Sequence, residues 1–207
     1  RLVLDPAPAA DIDLAALGAF LRAPAKEFCR RRLGLNVFDA DDEILDAIPV
    51  SLDGLAEWSV GQRLLDDRLR GMSPDQALQL EWRRGALPPG RLGWDRAKAI
   101  AGRAEPVVEK ALDVRDGLDR TSVDVDVDLG GGRRLRGTVT NLHGDRVVGV
   151  SYSSLGARHR LDAWLPLLAL TAARPGTAWS AGTIARWSGG ARAVVFAPIE
   201  TDDARRL

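Results

Sequence analysis

The 207-residue chain has one cysteine, Cys29, and only three lysines, Lys26, Lys98 and Lys110. A lone cysteine excludes an internal disulfide framework and any metal or iron–sulfur cluster built from this chain's cysteines, and it fits a reducing cytoplasm. Past residue 110 no ammonium group is available to any chemistry. Net charge is missing too: 29 acidic residues balance 29 basic ones, so only local patches can attract nucleic acid or an anionic membrane. No apolar run reaches the roughly 20 residues of a membrane span, and a signal peptide is not expected. The chain opens on Arg1 rather than methionine, so a fragment of a longer protein is expected. Arginine, alanine and glycine are abundant, a bias typical of GC-rich genomes and not itself a function.

Length and a 45% hydrophobic content support one sizeable core, and a single domain over 1–207 is expected. Residues 12–33 have helical spacing through Leu14, Leu17, Phe20 and Leu21, with Asp11 or Asp13 as cap, a restart at Pro24 and Gly34 at the end. The polar stretch "FDADDE" follows. Ser51 is the expected cap of a second helix reaching Arg70, with Leu52, Leu55, Val60, Leu64 and Leu65 inward. "SPDQALQLEWRRG" carries cap, proline and terminal glycine in order. Residues 92–118 read as more helix, interrupted or kinked at Pro106. Residues 12–118 are thus mainly helical.

At Thr121 the period changes from 3.6 to 2. "SVDVDVDL" sets Val123, Val125, Val127 and Leu129 against Asp124, Asp126 and Asp128, as in a half-buried strand. After "GGG", "RRLRGTVTNL" and "RVVGVSYSSL" complete an expected three-stranded antiparallel meander. A helix through Leu161, Trp164, Leu165 and Leu168 and two strands, 178–187 and 191–197, finish a sheet with one helix over 121–198. The class is α/β with a mixed sheet.

Five ordered blocks, "LGAFLRAPAKEFCRRRLGL", "SLDGLAEWSVGQRLLDDRL", "GALPPG", "GTVTNLHGDRVVGVSYSSL" and "RHRLDAWLPLLALTAA", resemble the C-terminal domain of the RecC family, the gamma subunit of exonuclease V, over residues 14–200. The resemblance implies a RecB-like PD-(D/E)XK (restriction-endonuclease-like) fold whose active site has decayed. It also implies a scaffold within a RecBCD-type helicase and nuclease that processes double-strand DNA ends. RecB-like and RecD-like subunits and DNA would then be the partners, with no cofactor in this domain.

A metal-dependent phosphodiesterase needs carboxylates for Mg²⁺ and commonly a lysine beside them. The superfamily places an aspartate on one strand and Asp/Glu-x-Lys on the next. Here Thr140 stands about where the aspartate would, and the second strand offers Val150 with Tyr152 or Ser151 with Ser153. No register supplies an acid or a lysine. The Gln-x-x-x-Tyr signature of active relatives is also absent from "RHRLDAWLP".

Other groups admit plain readings. Asp124, Asp126 and Asp128 are spread along one strand and are expected as a solvated face; a migrated metal site would draw on Asp128, Asp145 or Asp162. Arg30, Arg31 and Arg32 are expected to fan out and either complement a helix C-terminus or grip a phosphate or acidic partner, and Arg133, Arg134 and Arg136 project a second basic tip that would either touch DNA or protect a sheet edge. "GGG" lacks the Gly-Lys-Ser/Thr of a phosphate loop. His143, His159 and Cys29 have no helpers. The six tryptophans read as core or interface anchors, with stacking on single-stranded bases open for one or two. Two rivals remain: an active nuclease with moved carboxylates, and a single-strand-binding module.

Overall fold

A computed structural model describes residues 10–35 and 51–206. The "FDADDE" stretch lies outside the described residues. In chain order the elements are β1 (Ile12–Asp13), α1 (Leu14–Arg22), α2 (Pro24–Arg32), α3 (Gly54–Leu69), α4 (Pro74–Arg83), α5 (Gly90–Arg115), β2 (Arg120–Gly130), β3 (Arg133–His143), β4 (Arg146–Ser154), α6 (Ala157–Ala173), β5 (Ser180–Trp187), β6 (Gly190–Phe196) and α7 (Thr201–Arg206). The mixed α/β class expected from the sequence is what is observed.

Local rules account for most boundaries. The Asp13 carboxylate accepts the Ala16 N–H at 2.8 Å and starts α1. Proline disfavours helical geometry in the residue before it, so Ala23 is thrown to φ −148° and the expected helix splits there. Ser73 and Gln76 cap α4 reciprocally, side chain to backbone, at 3.2 and 2.9 Å. The expected cap at Ser51 is corrected: Asp53 caps α3, its carboxylate accepting the Ala56 N–H at 2.7 Å. Pro106 does not interrupt α5. A mid-helix proline costs about 3 kcal/mol, and burial of Ala104, Val107, Val108 and Ala111 around it offsets that.

The six-stranded sheet is mixed, with β4 and β5 parallel on either side of the α6 crossover. The expected antiparallel meander of β2, β3 and β4 is present, with unequal pairing. β2 pairs along all of β3, but β3 meets β4 only at Leu142↔Val147 and His143↔Arg146. Beyond those pairs the strands diverge, and the short β1 lies parallel to the start of β3 at Leu135 and Arg136. The sheet is forked.

Alternation sorts β4 and β5 between two cores. Val147 and Ala181 join Leu14, Leu142 and Leu167 under α1, α6 and α7. Val148, Tyr152 and Ile184 point the other way, into Val60, Leu64, Ile100 and Val108 of α3 and α5. Each fully buried aliphatic contributes roughly 2 kcal/mol. The helical half is therefore fastened to one face of the sheet. Leu55, expected inward, is 73% exposed.

Candidate functional site

The fork opens a cleft of about 590 Å³ between β3 and β4. Both walls are bulged. On β3, Thr140 and Asn141 stand opposite the single Ser122, and Asn141 takes a left-handed φ of 60°. On β4, Tyr152 and Ser153 are extra residues between Ser151↔Ala185 and Ser154↔Arg186. A bulge leaves backbone groups without ladder partners and re-aims side chains. Side chains answer both needs at Tyr152: its N–H donates to Gln62 Oε1 at 2.9 Å, and its carbonyl accepts from Arg186 Nε at 2.5 Å.

The three sequence-derived positions Thr140, Ser151 and Ser153 all line this cleft. Thr140 is exposed, Ser151 is half-buried and Ser153 is buried. The Ser153 hydroxyl accepts from Trp58 Nε1 and from the Arg158 guanidinium, each at 2.9 Å. Ser151 Oγ accepts the Ser153 N–H at 3.1 Å. Trp58 and Arg158 thereby tie α3 and the first turn of α6 to the bulge. Sequence reasoning missed Trp58, because nothing in helical spacing says which tryptophan crosses to the sheet.

Asp162 is the one carboxylate among the described residues that line the cleft, and Arg22 at the end of α1 holds it at 2.7 Å. His159 faces the cleft with Nδ1 accepting the Gly156 N–H at 3.0 Å. Burial pushes its pKa below the ordinary value, and the neighbouring Arg158 charge adds to the fall. The ring is therefore neutral near pH 7. Among the described residues the cleft thus has two cations and one carboxylate, already neutralised by Arg22, and no set of hard oxygen anions for a divalent ion.

Asp128, Asp145 and Asp162 do not converge. Asp128 pairs with Arg134 at the start of β3, Asp145 sits in the turn after its end, and Asp162 is on α6. By strand rise the first two lie roughly 30 Å apart. Among the described residues no three His, Cys, Asp or Glu side chains gather to hold a metal.

At the expected basic tip, two of the three arginines are ion-paired. Register places Asp126 opposite Arg136 and Asp128 opposite Arg134, and cross-strand pairs form: Arg134 to Asp126 at 2.5 Å, Arg136 to Asp126 at 3.4 Å and to Asp11 at 2.7 Å. Arg134 holds the Asp126 carboxyl below its usual range, and Arg136 adds to the effect. The aspartate face is solvent-exposed as expected, and along it Asp126 and Asp128 form a charge ladder with Arg134 and Arg136. Arg133 is exposed at the turn. Arg30 and Arg31 both bind the buried Glu27, at 2.6 and 3.1 Å, so they converge where fanning out was expected; Arg32 is half-buried. The Arg30 hydrogen bond, foremost, lowers the Glu27 pKa. No helix of the described residues is long and apolar enough to cross a membrane.

Comparison with known proteins gives consistent matches. The family model described as "RecC C-terminal domain" matches residues 9–207. "RecBCD enzyme subunit RecC" of Mycobacterium tuberculosis is 52% identical over 179 residues, covering 86% of this chain and 16% of the relative. The protein of the same description from Mycolicibacterium smegmatis is 48% identical over 176 residues, covering 85% and 16%. The chain spans about 16% of the length of the curated relatives it matches.

Proposed function

The chain belongs to the RecC C-terminal domain family, and from that premise we propose that it is a nuclease-like scaffold without catalysis of its own in a RecBCD-type enzyme that processes DNA ends. The fold proposed is a PD-(D/E)XK (restriction-endonuclease-like) one, forming a single domain over 1–207. The observation carrying this reading is the content of the forked cleft. Its walls bulge at Thr140 and Ser153, and bulges commonly accompany active sites. Yet the side chains there are hydroxyls, that of Ser153 held by Trp58 and Arg158, and its carboxylate is bound by Arg22.

Such a cleft binds and braces instead of cleaving. A phosphodiesterase must hold a metal, activate water and steady a leaving group; a hydroxyl pair, a neutral imidazole and an engaged guanidinium do none of these together. In this reading the domain contacts RecB-like and RecD-like subunits in the cytoplasm and lines the DNA path, needs no cofactor, and leaves motor and nuclease chemistry to those subunits. Arg133 and the Arg30 to Arg32 cluster are its candidate contacts.

The test is co-purification of the full-length polypeptide carrying this chain with tagged RecB-like and RecD-like subunits. Retention is expected, and it should fall sharply when residues 9–207 are deleted. Undiminished retention without them would overturn the scaffold role.

A further inference from the structure

A second cleft, of about 220 Å³, lies at the β5–β6 turn, lined by Arg103, Ser154, Arg186, Trp187 and Ser188 among others. The strands close tightly here. Trp187 pairs with Gly190, so the loop is Ser188-Gly189, with φ of 44° and 80°. Positive φ at both positions is the signature of a type I′ hairpin turn, which projects as a stiff tip.

Arg22, Arg30, Arg31, Arg134 and Arg136 meet carboxylates, whereas Arg186 and Arg192 meet aromatic rings. Arg186 Nε donates to the Tyr152 carbonyl at 2.5 Å, and its guanidinium carbon lies 4.1 Å from the Tyr152 ring centroid. The carbonyl bond and the ring fix the guanidinium plane, so its remaining two-nitrogen edge is a preset fork of the kind that binds a phosphate bidentately. The β4 bulge sets this up, because it places Ser154 opposite Arg186 and frees the carbonyl that Arg186 grips. Arg103 lines the same cleft while bound to Glu57 at 2.6 Å.

Trp187 is 49% exposed, with the Arg192 guanidinium 5.1 Å from its ring centroid. A large aromatic at a turn, half in water and backed by a cation, adds nothing to either core. As strand neighbours, Arg186 and Trp187 point to opposite faces, so the cleft wraps the hairpin end.

We propose that this hairpin end seats a single strand of nucleic acid, one phosphate on the Arg186 fork and the adjoining unpaired base on Trp187. A fixed guanidinium on one face of the hairpin end and an open indole on the other let a strand that crosses the tip set a phosphate on the first and the adjoining base on the second. A base still paired in a duplex has no face to offer Trp187. The site stands on its own geometry; only the choice of nucleic acid as ligand rests on the DNA-path reading above.

The test uses the full-length polypeptide with its partner subunits and a thymidine oligonucleotide carrying one 5-iodouracil, cross-linked by ultraviolet light and mapped by mass spectrometry. Labelling of the Trp187 peptide is expected, about tenfold weaker in Arg186→Ala and severalfold weaker in Arg192→Ala. Arg186 braces Tyr152, so the exposed Arg192 variant keeps the test independent of folding. Equal labelling in both variants, equal labelling by a duplex probe, or labels only elsewhere would overturn the site. A complex that assembles with Trp187 unlabelled leaves the scaffold reading standing. Labelled Trp187 in a polypeptide that does not join its partners does the reverse.

Discussion

The Trp58 indole reaches 95 residues along the chain to donate a 2.9 Å hydrogen bond to the Ser153 hydroxyl. Arg158 donates to the same oxygen at 2.9 Å. The bulged position in the cleft is thus a junction of α3, β4 and α6. Ser153→Ala removes the acceptor from two donors, which costs about 1–3 kcal/mol when the donors stay dry. Trp58 and Arg158 are both exposed enough to find water, so a loss near 1 kcal/mol is expected in urea unfolding. An unchanged midpoint would mean the junction carries no stability.

A Cβ on Gly61 would sit 2.2 Å from the Tyr152 ring. The ring cannot retreat easily, since both backbone groups of Tyr152 are gripped, by Gln62 and Arg186. Gly61→Ala should therefore destabilise by about 3 kcal/mol, at the upper end for overpacking. Tyr152→Phe runs the other way: its hydroxyl is buried with no partner among the described residues, so deletion should be neutral or slightly stabilising. Thermal unfolding of both variants checks the pair, and matched losses would contradict it.

Glu81, with a side chain 0% exposed, binds Arg63 at 2.5 Å and Arg84 at 2.6 Å. Arg84 also reaches the buried Asp67 at 3.1 Å, and its guanidinium pKa is raised foremost by the Glu81 hydrogen bond. Breaking a buried pair typically costs about 3–5 kcal/mol, but both arginines are about one-third exposed and can rehydrate. Glu81→Ala is accordingly expected to cost about 3 kcal/mol in urea unfolding, and Glu81→Gln less. Equal, small effects would show that α3 and α4 do not depend on this charge.

His159 has its pKa lowered from 6.5, by burial first. Between the lowered value and 6.5 the unfolded chain binds the proton and the folded chain does not, so stability is complete above about pH 6.5 and falls on acidification. A lower melting temperature at pH 5.5 than at pH 7.5 is expected, with the difference reduced in His159→Gln. A variant with the same pH slope as the parent would place the titration elsewhere.

Much of this architecture is legible in the sequence because local rules govern it. The valine–aspartate alternation of β2, the Ser73 cap and the turn between β3 and β4 are each decided within a few residues. The make-up of the cleft was legible too, since Thr140, Ser151 and Ser153 all line it and no lysine follows residue 110. The fork was not legible: hairpin sequence specifies the turn, whereas α1 packing against Gly137, whose added Cβ would lie 2.7 Å from Leu14, helps decide how far the strands stay paired. Trp58, the convergence of Arg30 and Arg31 on Glu27, and the arginine–aspartate ladder depend on which side chains meet across the fold. Helical period likewise placed Leu55 inward, but α3 buries a narrower stripe than its apolar residues span.

The central claim is that the forked cleft has no nuclease chemistry. Its most direct test is calorimetric titration of Mg²⁺ and Mn²⁺ into the purified chain, with digestion of linear duplex and single-stranded DNA by the same preparation. The account predicts no saturable metal binding and no cleavage. Saturable binding with cleavage, both abolished by Asp162→Ala, would contradict it.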